Sequence, residues 1–297
     1  MNTLRTLAPG KVNLCLYVGE PRADGLHPLV SVVQPLSLAD ELTLEPAPPD
    51  IQADEVVCAG VDGANLAASA LAAYREASGW DAPPQRLTIA KHVPVAAGMG
   101  GGSGDAAAAL RLAAHAAGRS EDPLLAGLAA VLGSDVPAQL ALRRSLMTGA
   151  GECVEPLPEP PPGLGVLVVP VDAELSTADV YRAADRMGLP RSAEELAELE
   201  GTVRAAALAG PLPRELLVND LEAAARELCP AIEPVLAAVA AAGAGHVMVT
   251  GSGPTVIGLF EGTRGRERAQ AAARALRERH PRAVAATPAG PEAARVW

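Results

Sequence analysis

The chain has 297 residues, of which 49% are hydrophobic, 20% charged and 2% aromatic, and it carries a formal net charge of −11. That length accommodates two domains of ordinary size, each with a buried core, and no apolar run reaches the roughly 18 residues that a membrane span requires. The acidic balance argues against a nucleic-acid partner, which needs a clustered basic face, and leaves any bound anion to local devices in the backbone and a few side chains.

The first residues contain no apolar leader stretch, so no secretory signal is expected. Cys15, Cys58, Cys153 and Cys229 are scattered without metal-ligand or disulfide-framework spacing. They read as reduced core residues of a cytoplasmic protein. Residues 4–18 read as a strand, a turn or bulge at Pro9-Gly10, and a second strand in which Lys11, Asn13, Cys15 and Tyr17 share one face. A polar pair such as Lys11 and Asn13 on a core strand is costly unless it binds something. The basic residues include only two lysines, Lys11 and Lys91, in a chain that otherwise uses arginine. A surviving lysine suggests a place where a compact ammonium fits and a guanidinium fork does not. For Lys91 taken alone, a solvated surface position is an equally open reading.

An Asp24-Gly25-Leu26-His27 turn comes next, on its own an ordinary surface turn, followed by strand-like segments at 30–36 and 41–45. Residues 65–78 form an amphipathic helix with Asn65 as N-cap and Gly79 as its stop. A strand at 86–91 then feeds the segment Pro94-Val95-Ala96-Ala97-Gly98-Met99-Gly100-Gly101-Gly102-Ser103-Gly104-Asp105, and an alanine-rich helix at 103–117 leaves it. Glycines let successive N–H groups turn toward one point, and a helix N-terminus adds unpaired donors and a favourable dipole. The loop is therefore a candidate phosphate cradle. No lysine follows the glycines as a Walker loop requires, and the spacing breaks the dinucleotide fingerprint. A plain glycine linker would lack the flanking strand and helix.

After a helix at 122–132 comes Gly133-Ser134-Asp135-Val136-Pro137, readable either as a helix cap or as a chemical site. A hairpin occupies 145–157. The proline-rich run at 156–163 is the best boundary, dividing the chain into 1–160 and 161–297. Beyond it the pattern predicts a strand at 165–171, helices at 176–187, 193–208, 219–228 and 232–242, and strands at 246–250 and 255–260. A Gly251-Ser252-Gly253-Pro254 turn, suited to approaching a phosphate loop or ligand, joins those two strands. A helix at 264–279 and a strand at 283–286 close the chain.

Four segments in this order, Pro9-Gly10-Lys11-Val12-Asn13, Pro94 to Ala106, Gly133 to Pro137 and Gly251 to Thr255, resemble the GHMP kinases, the family of galactokinase, homoserine kinase and mevalonate kinase. The Asp24 to His27 turn and the stretch Thr177–Tyr181 narrow the resemblance to the branch that phosphorylates the 2-hydroxyl of a cytidine-diphosphate-linked methylerythritol in isoprenoid precursor synthesis. The resemblance implies a two-domain α+β fold, with an N-terminal domain like the second domain of ribosomal protein S5 and a ferredoxin-like C-terminal domain. It implies ATP with Mg²⁺, Asp135 as the base and Lys11 beside it stabilising charge on the migrating phosphoryl group.

By the same resemblance Pro94 to Gly104 would wrap the ATP phosphates, Asn65 and Lys91 would lie near the nucleotide, and Asn13, Leu26, His27, Thr177 and Tyr181 would contact the cytidylated acceptor. Ser103 is a possible Mg²⁺ ligand. Leu26 departs from the pattern, since the branch usually has an aromatic residue there that stacks on cytosine. Gly104, where serine or alanine is commoner, is expected to add flexibility and little else. Monomer and homodimer both remain open. The alternatives are a kinase for another small alcohol, such as homoserine or phosphomevalonate, and a non-catalytic nucleotide-binding relative.

Overall fold

A computed structural model describes residues 3–61 and 63–297; Met1 and Asn2, which begin the segment read as leaderless, and Asp62 lie outside them. The two strands expected at the N-terminus are one, β1 (Leu4–Val18), and the two that follow are also one, β2 (Leu29–Pro46). They pair antiparallel along their length, with shifts of register between Pro9 and Lys11 and between Asn13 and Cys15. Pro9-Gly10 thus lies at a bulge and not in a turn: Pro9 pairs with Ala39, and Gly10 alone stands opposite Leu36, Ser37 and Leu38 of β2, so the ladder shifts without the chain reversing.

The chain continues through β3 (Glu55–Cys58), α1 (Leu66–Ser78), β4 (Gln85–Ala90), α2 (Gly101–Ala116), α3 (Leu124–Leu132), α4 (Val136–Ala141), β5 (Ser145–Thr148) and β6 (Cys153–Pro156). The first sheet runs β3-β4-β2-β5-β6, with β1 also on β2. The long bent β2 serves three neighbours: β5 near its start, β4 near its end and β1 throughout. β3 escapes sequence reading because four residues give period-two alternation no room to declare itself. The alanines of α2 pack with Leu71 and Tyr74 of α1 and with Leu42, Leu44 and Leu87 of the sheet in one buried cluster.

The second half comprises β7 (Gly165–Val169), α5 (Thr177–Met187), α6 (Ala193–Ala209), α7 (Glu222–Leu228), α8 (Ile232–Ala241), β8 (His246–Val249), β9 (Val256–Phe260), α9 (Gly265–Leu276) and β10 (Val284–Ala286). Its sheet is antiparallel in the order β10-β7-β9-β8, the ferredoxin-like arrangement. The helix expected from Asn219 starts later because Asn219 is spent on the neighbouring loop: its Nδ2 donates to the carbonyls of Val249 and Gly251, and its Oδ1 accepts from the Leu221 N–H.

The halves share a core. One cluster joins Val12, Tyr17 and Val32 of the first sheet to Val166, Met248 and Ile257 of the second, with Leu196 and Val203 of α6 between. Arg144, 1% exposed, spans the same junction and donates to the carbonyls of Pro158, Ala207 and Gly210. The last residues return to the first strand, where the Arg5 and Trp297 backbones exchange two hydrogen bonds and Thr6 Oγ1 donates to the Arg295 carbonyl. Of the cysteines, only Cys15 and Cys229 are buried; Cys58 is half-buried and Cys153, opening β6 in the edge hairpin, is exposed. No helix among the described residues is long and apolar enough to cross a membrane.

Candidate active site

A cavity of about 990 Å³ opens between the two halves, and its walls are the glycine loop, the bulged part of β1, the Asp24–His27 turn, and the starts of α1, α4 and α5. Lys11 and Asn13 point the same way from the bulge, both 5% exposed. Lys11 Nζ donates to Asn13 Oδ1 at 2.8 Å and lies 3.3 Å from Asp135 Oδ2. Asn13 Nδ2 in turn donates to Ser31 Oγ, and its backbone N–H to Thr250 Oγ1. The Asn13 amide thus holds the Lys11 ammonium in place, and Asn13 also lines the cavity.

Asp135 sits at the N-terminus of α4 yet makes no capping hydrogen bond, and its side chain is 31% exposed to the cavity. The cap reading is thus not the one the side chain adopts, and the carboxylate lies open to the cavity beside Lys11.

The loop from Pro94 to Ser103 lines the cavity throughout. Gly98 and Gly100 take left-handed φ values of 74° and 66°, and Ala96 is forced to 51°. A side chain at Gly98 would put its Cβ 2.4 Å from the Thr250 carbonyl oxygen, so the glycine loop and the Gly251–Pro254 turn touch through bare backbone. The Lys11 N–H donates to the Met99 carbonyl, fastening the loop to the bulge. α2 then begins at Gly101 without a side-chain cap, which leaves the first N–H groups of this cavity-lining turn without a side-chain partner, an arrangement that favours an anion. Gly104 is the exception: it does not line the cavity, and a Cβ there would lie 3.2 Å from the Pro9 carbonyl oxygen. Its position allows close packing of α2 on the bulge, a more specific reason for glycine than flexibility.

Asn65 caps α1, its Oδ1 accepting from the Ala67 N–H, and also borders the cavity. Lys91 reaches the wall, but its ammonium is held by Asp40 Oδ2 at 2.5 Å and Asp105 Oδ2 at 2.7 Å. Asp40 Oδ1 accepts the backbone N–H groups of His92 and Val93. This cluster ties the strand entering the glycine loop to the helix leaving it. Burial would lower the Lys91 pKa, but Asp105 and Asp40 together hold it above the usual lysine range. Burial pushes the Asp105 carboxyl up to about 7 against the pull of Lys91, and its Oδ1 has no partner among the described residues. Asp40 and Asp105 were invisible as a pair in sequence, although each is a carboxylate inside an otherwise apolar stretch.

At the far end Leu26 is 53% exposed, and Asp24 Oδ1 accepts its N–H within the turn. His27, read alone as a surface residue, has only 8% of its side chain exposed: Nδ1 sits 2.8 Å from the Gly19 carbonyl oxygen and Nε2 3.5 Å from Asp185 Oδ2. Its ring lies 5.0 Å from that of Tyr181 at 44°. Burial, with the Asp135 charge adding, raises the Tyr181 phenol to about 12, so it is neutral near pH 7. Thr177 Oγ1 and Ser252 Oγ lie 3.0 Å apart, joining α5 to the second glycine turn. One end of the cavity thus presents a tilted pair of aromatic rings, the other a glycine-rich backbone and an uncapped helix start, and a Lys-Asp pair stands between them.

The chain belongs to the GHMP kinase family: residues 65–141 match the GHMP kinases N terminal domain and residues 193–282 the GHMP kinases C terminal model. Within the family, its relatives include proteins named 4-diphosphocytidyl-2-C-methyl-D-erythritol kinase. One from Nocardioides sp. is 44% identical, over 85% of this chain and 86% of the relative. Another, from Anaeromyxobacter dehalogenans, is 38% identical over 87% and 81%. A solved 4-(cytidine 5'-diphospho)-2C-methyl-D-erythritol kinase is 36% identical and superposes with a TM-score of 0.76 over 96% of this chain and 99% of that one. The homoserine kinase from Cytophaga hutchinsonii, 17% identical with a TM-score of 0.69 over 100% and 94% of the two chains, shares the fold.

Proposed function

We propose that this protein transfers the γ-phosphoryl group of ATP to the 2-hydroxyl of 4-diphosphocytidyl-2-C-methyl-D-erythritol, giving the 2-phosphate and ADP on the methylerythritol phosphate route to isoprenoid precursors. The observation that carries the reading is the Lys11–Asp135 pair at 3.3 Å, set between an uncapped helix start and the His27–Tyr181 wall. The relatives' names supply the acceptor.

In this reading Pro94 to Ser103 hold the phosphates through backbone N–H groups, and Asn65 and Lys91 flank the nucleoside. Asn13, His27, Tyr181, Leu26 and Thr177 hold the cytidylated alcohol, and Asn13 also positions Lys11. Asp135 accepts the hydroxyl proton as the oxygen attacks phosphorus and the bond to the bridging oxygen of ADP breaks. Phosphoryl transfer asks the protein mainly for positioning and charge stabilisation, and Lys11 provides the latter beside the reacting centre.

Among the described residues no group of three or more His, Cys, Asp or Glu is arranged to hold a metal, which suits a Mg²⁺ carried in on phosphate oxygens with few protein ligands. Ser103 is the side chain that would meet it, and when bound it would neutralise phosphate charge. The chain units 1–160 and 161–297 then form the two walls of the site. Free thiols and small-molecule partners suit a cytoplasmic enzyme.

The test is ATP consumption with Mg²⁺ and the cytidylated alcohol, with homoserine and phosphomevalonate alongside. Turnover confined to the cytidylated alcohol is expected, and turnover confined to another alcohol overturns the acceptor assignment. Asp135→Asn should retain Mg·ATP binding and lose about 10²–10⁴-fold in kcat, the usual range for a positioned acid-base group. A near-native rate would remove Asp135 from the role of base.

A further inference from the structure

Three parts of the site must keep register with one another: the bulge that aims Lys11, the glycine loop, and the helix that starts at Asp135. They are contributed by residues far apart in the chain. Among the described residues a backbone hydrogen bond joins only the first two, from the Lys11 N–H to the Met99 carbonyl. We infer that Gln139, one turn beyond Asp135 on α4, is the positioning residue that locks the third part to the other two. The inference rests on the proposed phosphoryl transfer for what is being positioned.

Gln139 is 2% exposed, and its backbone N–H donates to the Asp135 carbonyl at 3.1 Å, so its main chain moves with the proposed base. Its Nε2 donates to the Pro9 carbonyl at 3.0 Å and, more loosely, to the Gly100 carbonyl at 3.4 Å. Pro9 opens the bulge two residues before Lys11, and Gly100 is the residue from which α2 springs. Two carbonyl acceptors require an amide nitrogen at that place, which fixes the orientation of the side chain. The Gln139 carbonyl in turn accepts from Arg111 Nη1, while Arg111 Nη2 donates to the Leu7 carbonyl, so a second link runs from α4 to β1 through α2.

The glycines around the amide are cut to its shape. A Cβ at Gly100 or at Gly104 would stand 3.4 Å from Nε2, and at Gly100 it would also press on Lys11 Cε at 3.0 Å. This explains a glycine at 104, outside the cavity lining: it lets α2 approach the Pro9 carbonyl and the amide that binds it. Gln139 touches neither substrate in this arrangement, since it lies behind the cavity wall. Its effect passes through Pro9, Gly100 and Asp135. A buried polar side chain of this kind is costly unless satisfied, and here satisfaction and alignment are the same two hydrogen bonds.

The experiment compares wild type with Gln139→Met, which keeps the length of the side chain and removes the donor, and with Val239→Ala, which opens a packing defect where α8 lies on the distant second sheet. Gln139→Met should lower kcat at least tenfold and raise the KM for ATP a few-fold. The KM for the cytidylated alcohol should stay within twofold, because the His27–Tyr181 wall does not depend on the link. Val239→Ala should lower the melting temperature while leaving both kinetic constants of the folded enzyme within twofold. The inference is overturned if Gln139→Met, shown folded by circular dichroism, keeps kcat within twofold, or if its loss is fully accounted for by the fraction unfolded.

Should Gln139→Met fail to fold, Gln139→Asn serves instead. Its shorter amide can keep one carbonyl at most, and the same kcat loss is expected of it. Equilibrium binding of Mg·ATP separates this inference from the acceptor assignment. If wild type binds the nucleotide but leaves the cytidylated alcohol untouched, the assignment falls, and a weakened nucleotide affinity in the Gln139 variants still upholds the link, whereas an unchanged affinity rejects it.

Discussion

Gly98→Ala puts the backbone junction beside the phosphate loop to a quantitative test. The residue sits at φ 74°, where a Cβ costs about 1–2 kcal/mol through its clash with the local carbonyl. The added carbon would also stand 2.4 Å from the Thr250 carbonyl oxygen, with Gly253 N at 3.0 Å, both backbone atoms that cannot rotate away. Displacing packed backbone adds about 1–3 kcal/mol, for a total of about 2–5 kcal/mol.

Two other glycines separate the contributions. Gly118, at φ 72° with nothing within 4 Å of its virtual Cβ, should lose only the conformational part on mutation to alanine, about 1–2 kcal/mol. Gly102, inside α2 with open space around it, should gain up to about 1 kcal/mol from better helix propensity. Urea denaturation of the three variants without nucleotide gives the ranking directly. Because the lost contact joins the glycine loop to the Gly251–Pro254 turn, Gly98→Ala should also weaken Mg·ATP binding at least tenfold. A Gly98→Ala protein no less stable than Gly118→Ala would refute the steric argument.

The remaining predictions concern charge and recognition. Asp105, held near pKa 7 in the fold by burial and near 3.8 in the open chain, retains its proton longer when folded, so wild-type stability should decline as pH rises from about 4 through 7 and level off above it. Asp105→Asn should flatten that decline, which is on the order of 3 kcal/mol, in denaturation curves taken from pH 5 to 9; an unchanged slope would assign the decline to other groups. Tyr181→Leu removes the ring that packs on His27 and should raise the KM for the cytidylated alcohol about tenfold or more with the KM for ATP unchanged, since stacking on one ring is worth about 1–3 kcal/mol. Leu26→Phe should move the same constant the other way, by several-fold, because the position is exposed to the cavity and offers a base no flat face at present.

What could be read in the chain beforehand follows from how locally each feature is encoded. The glycine loop, α1 with its Asn65 cap and Gly79 stop, and the hairpin of β5 and β6 are all specified by neighbours in sequence, and they stand where the patterns place them. Lys11 and Asn13 could be paired because a strand puts i and i+2 on one face. Their meeting with Asp135 came only through the resemblance to other kinases, since no local rule brings residues so far apart together. His27 shows the limit most clearly: a turn residue by sequence, it is buried by α5, a helix about 150 residues away that supplies both Tyr181 and Asp185. The Asp40–Lys91–Asp105 cluster was out of reach for the same reason, since each partner is a lone charge until the sheet and α2 close around it.

The return of residues 294–297 to Arg5 and Thr6 also orders events in time. The contact spans 289 positions, so the strand that aims Lys11 and Asn13 has an unfinished edge for nearly the whole of synthesis. Contacts of that separation form late, after the loop they close has been laid down. A nascent chain can assemble the glycine loop and the helices around it early, yet the strand carrying the central lysine waits for some of the most distant residues to arrive. A ribosome-stalled chain short of residue 294 would therefore leave the start of that strand open to pairing with another copy, which makes it an aggregation hazard on the route to the folded protein.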